Sequence, residues 1–141
     1  MNSNIEKVLT VELDFVKLNY TASSNLLELE YNSNVIIELD HAILLVENIL
    51  SLTNGFSVLS LITSSDGFVS MDTEAKHYIA SAQREHKYCV ASAFVTTVLA
   101  NRIAARFFIK FCRPPQPCKI FKNREGALSW LYELENKKLN H

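Results

Sequence analysis

The chain contains 141 residues, of which 48% are hydrophobic and 21% are charged, and its formal net charge is −1. A chain of this length is typical of one domain, here residues 1–141, and its three glycines and three prolines exclude disordered, collagen-like and low-complexity proteins. No apolar run reaches the roughly 18 residues of a membrane span, and the N-terminus lacks the basic start and apolar stretch of a signal peptide, so we expect a cytoplasmic protein.

Two N-terminal segments alternate between apolar and polar residues, which predicts half-buried β-strands. The first covers residues 8–16 and the second residues 27–31, and the polar connection Thr-Ala-Ser-Ser-Asn between them favours antiparallel pairing. The acidic residues of this predicted hairpin are expected to share its outer face, and they are Glu12, Asp14, Glu28 and Glu30.

After the hairpin, helical and strand-like patterns alternate along the chain. Polar residues that can cap a helix precede each of the four helical segments. The predicted caps are Asp40 for the first helix, Ser70 or Asp72 for the second, Thr96 or Thr97 for the third and Asn123 for the fourth. Short apolar runs typical of buried strands lie between the helices, at residues 56–63, 88–95 and 119–121. Asn54-Gly55 is predicted to end the first helix and Pro114-Pro115 the third.

The third predicted helix is strongly amphipathic. At about 100° per residue, Phe107, Phe108 and Phe111 are predicted to face the core, with cations on the opposite side. These cations, here named the basic stripe, are Arg102, Arg106, Lys110 and Arg113. The other predicted core residues are Val58, Leu61, Val90, Phe94, Leu128 and Leu131.

The order of predicted elements is β-β-α-β-α-β-α-β-α. Strands that alternate with helices form parallel sheets covered by those helices. The pattern therefore predicts an α/β fold with a mixed, mainly parallel sheet, an antiparallel N-terminal hairpin and four covering helices.

Three strings carry a family resemblance together with this order: DTEAKHYIA at 72–80, FFIKFCRPPQP at 107–117 and KIFKNREGALSWL at 119–131. With them the chain resembles the STAS superfamily of sulfate transporters and anti-sigma-factor antagonists, and more closely its SpoIIAA-like STAS/SEC14 branch of small bacterial proteins. The resemblance implies a STAS/SpoIIAA-like fold. It also implies a regulatory module, because the antagonists bind a partner kinase and are switched by phosphorylation of a serine at the start of the second helix.

Carried over onto this chain, the switch falls at Met71-Asp72-Thr73, with Thr73 in place of the serine. Glu74 and Ala75 then replace the antagonists' Ser-Gly, and Glu74 would repel an added phosphate. Asp72 and Thr73 equally fit an ordinary helix N-terminus, so both interpretations stay open.

The loop Ser64-Ser65-Asp66-Gly67 follows a predicted parallel strand, at the edge where open α/β sheets bind ligands. Ser64, Ser65 and Asp66 are therefore candidate partner or ligand residues. Asp66 would oppose an anion, however, and small polar residues are also ordinary turn formers.

Sequence patterns for catalysis, metal binding and nucleotide binding are missing. The four histidines form no ligand pair, Cys89, Cys112 and Cys118 lack metal-site spacing, and no nucleophile elbow or phosphate loop is present. We therefore predict no enzymatic activity, no metal and no cofactor, with the cysteines as reduced thiols.

The charges are segregated along the chain. Residues 1–75 carry eleven acids and two bases, whereas residues 76–141 carry twelve bases and four acids. The basic stripe suits an acidic protein or anionic lipid, and nucleic acid is disfavoured because the aromatic rings are predicted to point away from the stripe. We expect a weak homodimer in which the basic stripe meets the acidic hairpin of a second copy, with two alternatives: the two faces meet within one chain, or they bind other proteins such as a kinase-like regulator.

Two functions follow from these observations. The first is a non-enzymatic regulatory or protein-interaction module, and the alternative is a carrier of a lipid or other small apolar ligand, suggested by the SEC14 side of the resemblance and by the aromatic third helix. An enclosed apolar cavity between the second and third helices would favour the carrier, and a filled core would favour the interaction module.

Overall fold

The computed structural model describes residues 7–64 and 67–139. Their helices and strands are β1 (Val8–Glu12), β2 (Val16–Thr21), β3 (Leu26–Tyr31), β4 (Ile36–Ile37), α1 (Leu39–Thr53), β5 (Val58–Ser64), β6 (Ser70–Met71), α2 (Thr73–His86), β7 (Cys89–Val95), α3 (Leu99–Phe107), β8 (Cys118–Phe121) and α4 (Arg124–Leu139). A π-helical turn, Phe108–Cys112, follows α3 directly.

Within these residues, six strands form one sheet in the order β1-β2-β3-β5-β7-β8, and β4 and β6 form a separate parallel pair. The neighbours β1, β2 and β3 are antiparallel, whereas β3, β5, β7 and β8 are parallel. The predicted mixed, mainly parallel sheet with antiparallel N-terminal strands and four helices is therefore confirmed.

The N-terminal strands differ from the predicted hairpin in number. The segment predicted as one strand ends at Glu12, turns through Leu13, Asp14 and Phe15, and continues as β2, with Leu13 N donating to Val16 O at 2.9 Å. The turn residues continue the apolar-polar alternation and include no glycine or proline, so the turn has no local sequence signal. Asp14 consequently lies in this turn, away from the strand face on which we expected it.

The acidic face of these strands contains cations from the same chain. Lys17 on β2 lies between Glu12 on β1 and Glu30 on β3 in the strand register. Arg124, at the start of α4, forms an ion pair with Glu28. The hydrogen bond to Glu28 raises the pKa of Arg124, so its guanidinium is charged at neutral pH. The chain thus offsets much of the repulsion that we expected among these carboxylates.

Helices cover both faces of the sheet. On one face, α1, α2 and the π-helical turn form a core with fully buried residues such as Leu18 and Leu45. On the other face, α4 packs Ala127 and Leu131 against β5 and β7. The predicted core residues Val58, Leu61, Phe108 and Leu131 are buried, and Val90, Phe94 and Leu128 are half-buried against the same two cores.

The third helix is rotated relative to our prediction, which was wrong for two of its three aromatic residues. Only Phe108 is buried, while Phe107 and Phe111 are 51% and 54% exposed. The buried side of the helix consists of Asn101, Ala105 and Phe108, because their short spacing of three and four residues places them on one face. Phe107 is about 100° away from Phe108 on the helix, so the two rings point in different directions.

Three predicted helix ends agree with the structure, and two predicted helix starts do not. Asp72 is the N-cap of α2, Asn54 ends α1 with a left-handed φ of 54°, and the Asn123 side chain accepts a hydrogen bond from Gly126 N at 2.8 Å. The first helix begins earlier than predicted, since its N-cap is Glu38 and not Asp40. The third begins later, because the Thr96 hydroxyl accepts a hydrogen bond from Val98 N and leaves Val98 as the N-cap.

Candidate functional site

A cavity of about 200 Å³ lies between the sheet and the helices α1, α2 and α3. Its floor is the side of β3, β5 and β7 that faces α1 and α2. The apolar residues around it include Leu29, Leu45, Ile49, Ile62, Ile79 and Phe108. Its lining, mostly apolar with a few polar groups, has the chemical character of small-molecule sites.

Small side chains at the centre of the sheet leave this space open. Ser60 on β5 and Ser92 on β7 are both buried on the cavity floor. Both serine hydroxyls accept hydrogen bonds from within the protein. Ser60 Oγ accepts from Cys89 Sγ at 3.3 Å, and Ser92 Oγ accepts from Gln116 Nε2 at 3.1 Å. A leucine or isoleucine at either position would fill volume that the serines leave empty.

Two residues that line the cavity each have a buried polar atom with no hydrogen-bond partner among the described residues. These atoms are Oε1 of Gln83, near the end of α2, and the hydroxyl of Tyr88, just before β7. Gln83 is 7% exposed and Tyr88 2% exposed. Burial raises the pKa of the Tyr88 hydroxyl far above its ordinary value, and the nearby Gln83 side chain acts in the opposite direction, so Tyr88 is a neutral donor at physiological pH. Each unsatisfied buried group costs about 1–3 kcal/mol.

The mouth of the cavity is held by Asn101 on α3. Its Oδ1 accepts from Val69 N at 3.0 Å, and its Nδ2 donates to the Gly67 carbonyl at 2.8 Å and to Ser64 Oγ at 3.1 Å. Phe68, in the same loop, is 44% exposed and lines the rim. Asn101 thus connects α3 to Ser64 at the end of β5 and to Gly67 and Val69 before β6. Our sequence analysis missed this residue, although an asparagine inside a helical segment is itself a signal of a side-chain role.

The residues proposed from sequence for the loop and the second helix fall in different places. Ser64 lines the cavity. Ser65 and Asp66 lie outside the described residues. Asp72 and Thr73 are exposed at the start of α2 and are not part of the cavity wall.

The basic stripe lies beside exposed apolar side chains and not opposite them. Arg106, Lys110 and Arg113 are exposed and Arg102 is half-buried. The exposed apolar residues of α3 and its π-helical turn are Leu99, Ile103, Phe107 and Phe111. We call these eight residues the aromatic-basic face.

The three cysteines are free thiols. Burial raises the pKa of all three, and it raises that of Cys118 to about 12, so the reactive thiolate is scarce at neutral pH.

A surface cluster of possible metal ligands consists of Glu38, Asp40 and His41, whose ligand atoms lie within 4.8 Å of one another. His41 Nδ1 accepts a hydrogen bond from Glu38 N at 2.9 Å, which explains this cluster as the cap of α1.

Comparison with known proteins identifies a family and a fold. The family model described as "Domain of unknown function (DUF7793)" matches residues 20–135. No curated protein matches the sequence. The chain is similar to a solved structure from Shewanella loihica PV-4, an uncharacterised protein of the DUF3478 family with a SpoIIAA-like fold; the TM-score is 0.54 at 18% identity, and the match covers 93% of this chain and 98% of that chain. Among the described residues, no helix is long and apolar enough to cross a membrane.

Proposed function

The chain belongs to the DUF7793 family, and for this member we propose a non-enzymatic role in the cytoplasm: it binds and carries a small, largely apolar ligand that has one hydrogen-bonding group. The observation that carries the proposal is the mostly apolar cavity, two of whose lining residues, Gln83 and Tyr88, each have a buried polar atom without a partner among the described residues. A ligand hydroxyl that came within hydrogen-bond distance of both atoms would satisfy them, because it would accept from Tyr88 and donate to Gln83.

The cavity volume sets the size of the ligand. An apolar cavity of about 150 Å³ holds benzene, and the cavity here measures about 200 Å³. It therefore suits an aromatic ring or short alkyl chain with one or two further heavy atoms. Longer chains would have to leave through the mouth beside Phe68.

Two probes that differ by one hydroxyl test this proposal. In NMR titrations we expect p-cresol to bind more tightly than toluene, by about 5–10-fold, because only p-cresol has a hydroxyl for Gln83 and Tyr88. Ala104→Met, which fills the cavity wall, is expected to weaken both probes, whereas Ala100→Met, on the exposed side of the same helix, is expected to leave them unchanged. Equal affinity of both probes, or no effect of Ala104→Met, would contradict the proposal.

A regulatory module switched at Thr73 is the second candidate function. Supporting it, Thr73 is exposed as the first residue of α2, and its N-cap Asp72 makes no side-chain hydrogen bond to the helix. Added phosphate would gain from the free N–H groups and dipole of the helix start, although Glu74 opposes it. Phosphopeptide mapping from native cells tests this role, and absence of modification at Thr73 under all growth conditions would remove it.

A weak homodimer, as proposed from the charge segregation, stays a prediction. Lys17 and Arg124 lie among the carboxylates that were to meet the basic stripe of a second copy, which lowers the charge available for that contact. Sedimentation at low salt and at roughly 0.5 M salt tests the homodimer, since ion pairs weaken as the Debye length decreases. A monomer at both salt concentrations would exclude it.

A further inference from the structure

The exposed apolar residues of the aromatic-basic face form a continuous line. Leu99, Ile103, Phe107 and Phe111 are 67%, 53%, 51% and 54% exposed. Residues four apart drift by about 40° per step around an α-helix, which would carry Phe111 away from the others. The π-helical turn that starts at Phe108 is wider and turns Phe111 back towards Phe107. Their ring centroids are consequently only 4.1 Å apart.

Cations without carboxylate partners accompany this line. Lys76 Nζ lies 5.2 Å from the centre of the Phe107 ring, and Lys110 Nζ lies 5.6 Å from that of Phe111. Residues 102–124 include seven bases and no acid. Within residues 7–64 and 67–139, no cation of the aromatic-basic face forms an ion pair with a carboxylate. The face therefore combines a net positive charge with exposed aromatic rings.

We propose that the aromatic-basic face binds the surface of an anionic phospholipid bilayer. Helices that lie in the membrane interface have an apolar side with large residues and a polar side with lysine and arginine, as this helix has. The apolar line would enter the region between headgroups and acyl chains, and the cations would contact the lipid phosphates. A second copy of the chain fits this face less well. The acidic strands that it would offer already contain Lys17, and Glu28 on these strands already forms an ion pair with Arg124.

The aromatic-basic face adjoins the mouth of the cavity. Ala104 on α3, Lys76 and Phe68 line the cavity, and Lys76 also contacts Phe107. A chain bound to a bilayer through this face would have the cavity mouth near the lipid. The inference rests on the exposed face alone, so it stands whether or not the cavity binds a ligand.

Vesicle co-sedimentation tests the inference directly. We expect the chain to bind vesicles of phosphatidylcholine with phosphatidylglycerol, and not vesicles of phosphatidylcholine alone. Binding should decrease as salt is raised from about 0.1 M to 0.5 M. Arg106→Glu and Lys110→Glu should each weaken binding by at least about fivefold. Equal binding to both vesicles, or binding to neither, would overturn the inference.

A matched pair of variants separates the aromatic contribution from general surface hydrophobicity. Phe107→Ser with Phe111→Ser should lower binding to the anionic vesicles at least about tenfold, while Phe56→Ser, at a residue 66% exposed between α1 and β5, should not change it. Circular dichroism of each variant checks that it is folded. A salt-sensitive dimer in the absence of vesicles that Arg106→Glu abolishes would instead assign the face to a second copy and overturn the inference.

Discussion

Gln83 and Tyr88 both line one cavity, and neither Gln83 Oε1 nor the Tyr88 hydroxyl has a hydrogen-bond partner in the part of the chain that the structure describes. The two side chains come from consecutive elements, the end of α2 and the residue before β7, so the short connection between these elements brings them together. Because unsatisfied buried polar groups destabilise a folded protein, this arrangement favours a ligand that satisfies both.

Removing the Tyr88 hydroxyl should therefore stabilise the empty protein. Tyr88→Phe keeps the ring and removes one unsatisfied polar group, so we expect the free energy of unfolding to increase by about 1–3 kcal/mol. Urea denaturation measures the change. Tyr132→Phe, at a half-buried position on α4, is the control and should change stability by less than about 0.5 kcal/mol. A clear loss of stability in Tyr88→Phe would show that the hydroxyl has a structural partner.

The orientation of the third helix predicts that two adjacent phenylalanines contribute very unequally to stability. Phe108 is buried and meets Phe94 edge to face, with ring centroids 6.2 Å apart. Phe108→Ala should cost about 3–5 kcal/mol of stability, whereas Phe107→Ala should cost less than about 1 kcal/mol. Chemical denaturation of the two variants decides between the rotations, since similar losses at both positions would mean that Phe107 is also packed.

The hydrogen bonds of Asn101 predict how the cavity mouth is held. Asn101→Asp keeps the shape and the acceptor for Val69 N but removes the two donated hydrogen bonds to Gly67 O and Ser64 Oγ. We expect a loss of about 1–3 kcal/mol and faster hydrogen exchange at residues 67–69. Asn48→Asp, which removes an exposed bond to Leu44 O, is the control and should be nearly neutral. Unchanged exchange in Asn101→Asp would contradict the role of Asn101.

The raised pKa values predict thiols that resist alkylation in the folded protein. A thiol with a pKa of about 12, as at Cys118, has about 1,000-fold less thiolate at pH 8 than one near 9. Iodoacetamide should therefore label the native protein very slowly and the protein in guanidinium chloride fully, as mass spectrometry can measure. Rapid labelling of native Cys118 at pH 8 would show that the thiol is not desolvated.

Several helix ends were predictable from local signals in the sequence. The cap at Asp72, the left-handed end of α1 at Asn54 and the cap at Asn123 all depend on residues within one helical turn. The turn at Leu13–Phe15 was not predictable, because its residues continue the strand pattern and one of its hydrogen bonds comes from a residue distant in sequence, Asn32 N to Phe15 O. The rotation of the third helix was equally hidden, since Asn101, Ala105 and only one of its three aromatic rings, that of Phe108, face the core.

The candidate site was harder to predict from the sequence than the fold. Ser64 was identified because loops at this edge of a parallel sheet are common ligand sites, and it does line the cavity. The cavity itself depends on small residues in separate strands, Ser60 and Ser92, and on the relative position of Gln83 and Tyr88. The cavity can be recognised only in the packed structure, because it is formed by residues from several segments and no single segment predicts it.

The position of bound p-cresol tests the central claim most directly. In isotope-filtered NMR spectra of the complex, we predict nuclear Overhauser effects from the aromatic protons of p-cresol to the methyl groups of Leu45, Ile49 and Ile79, which line the cavity from α1 and α2. Effects only to the exposed methyl groups of Leu99 and Ile103, or none to the cavity residues at saturating p-cresol, would contradict a ligand site between the sheet and these helices.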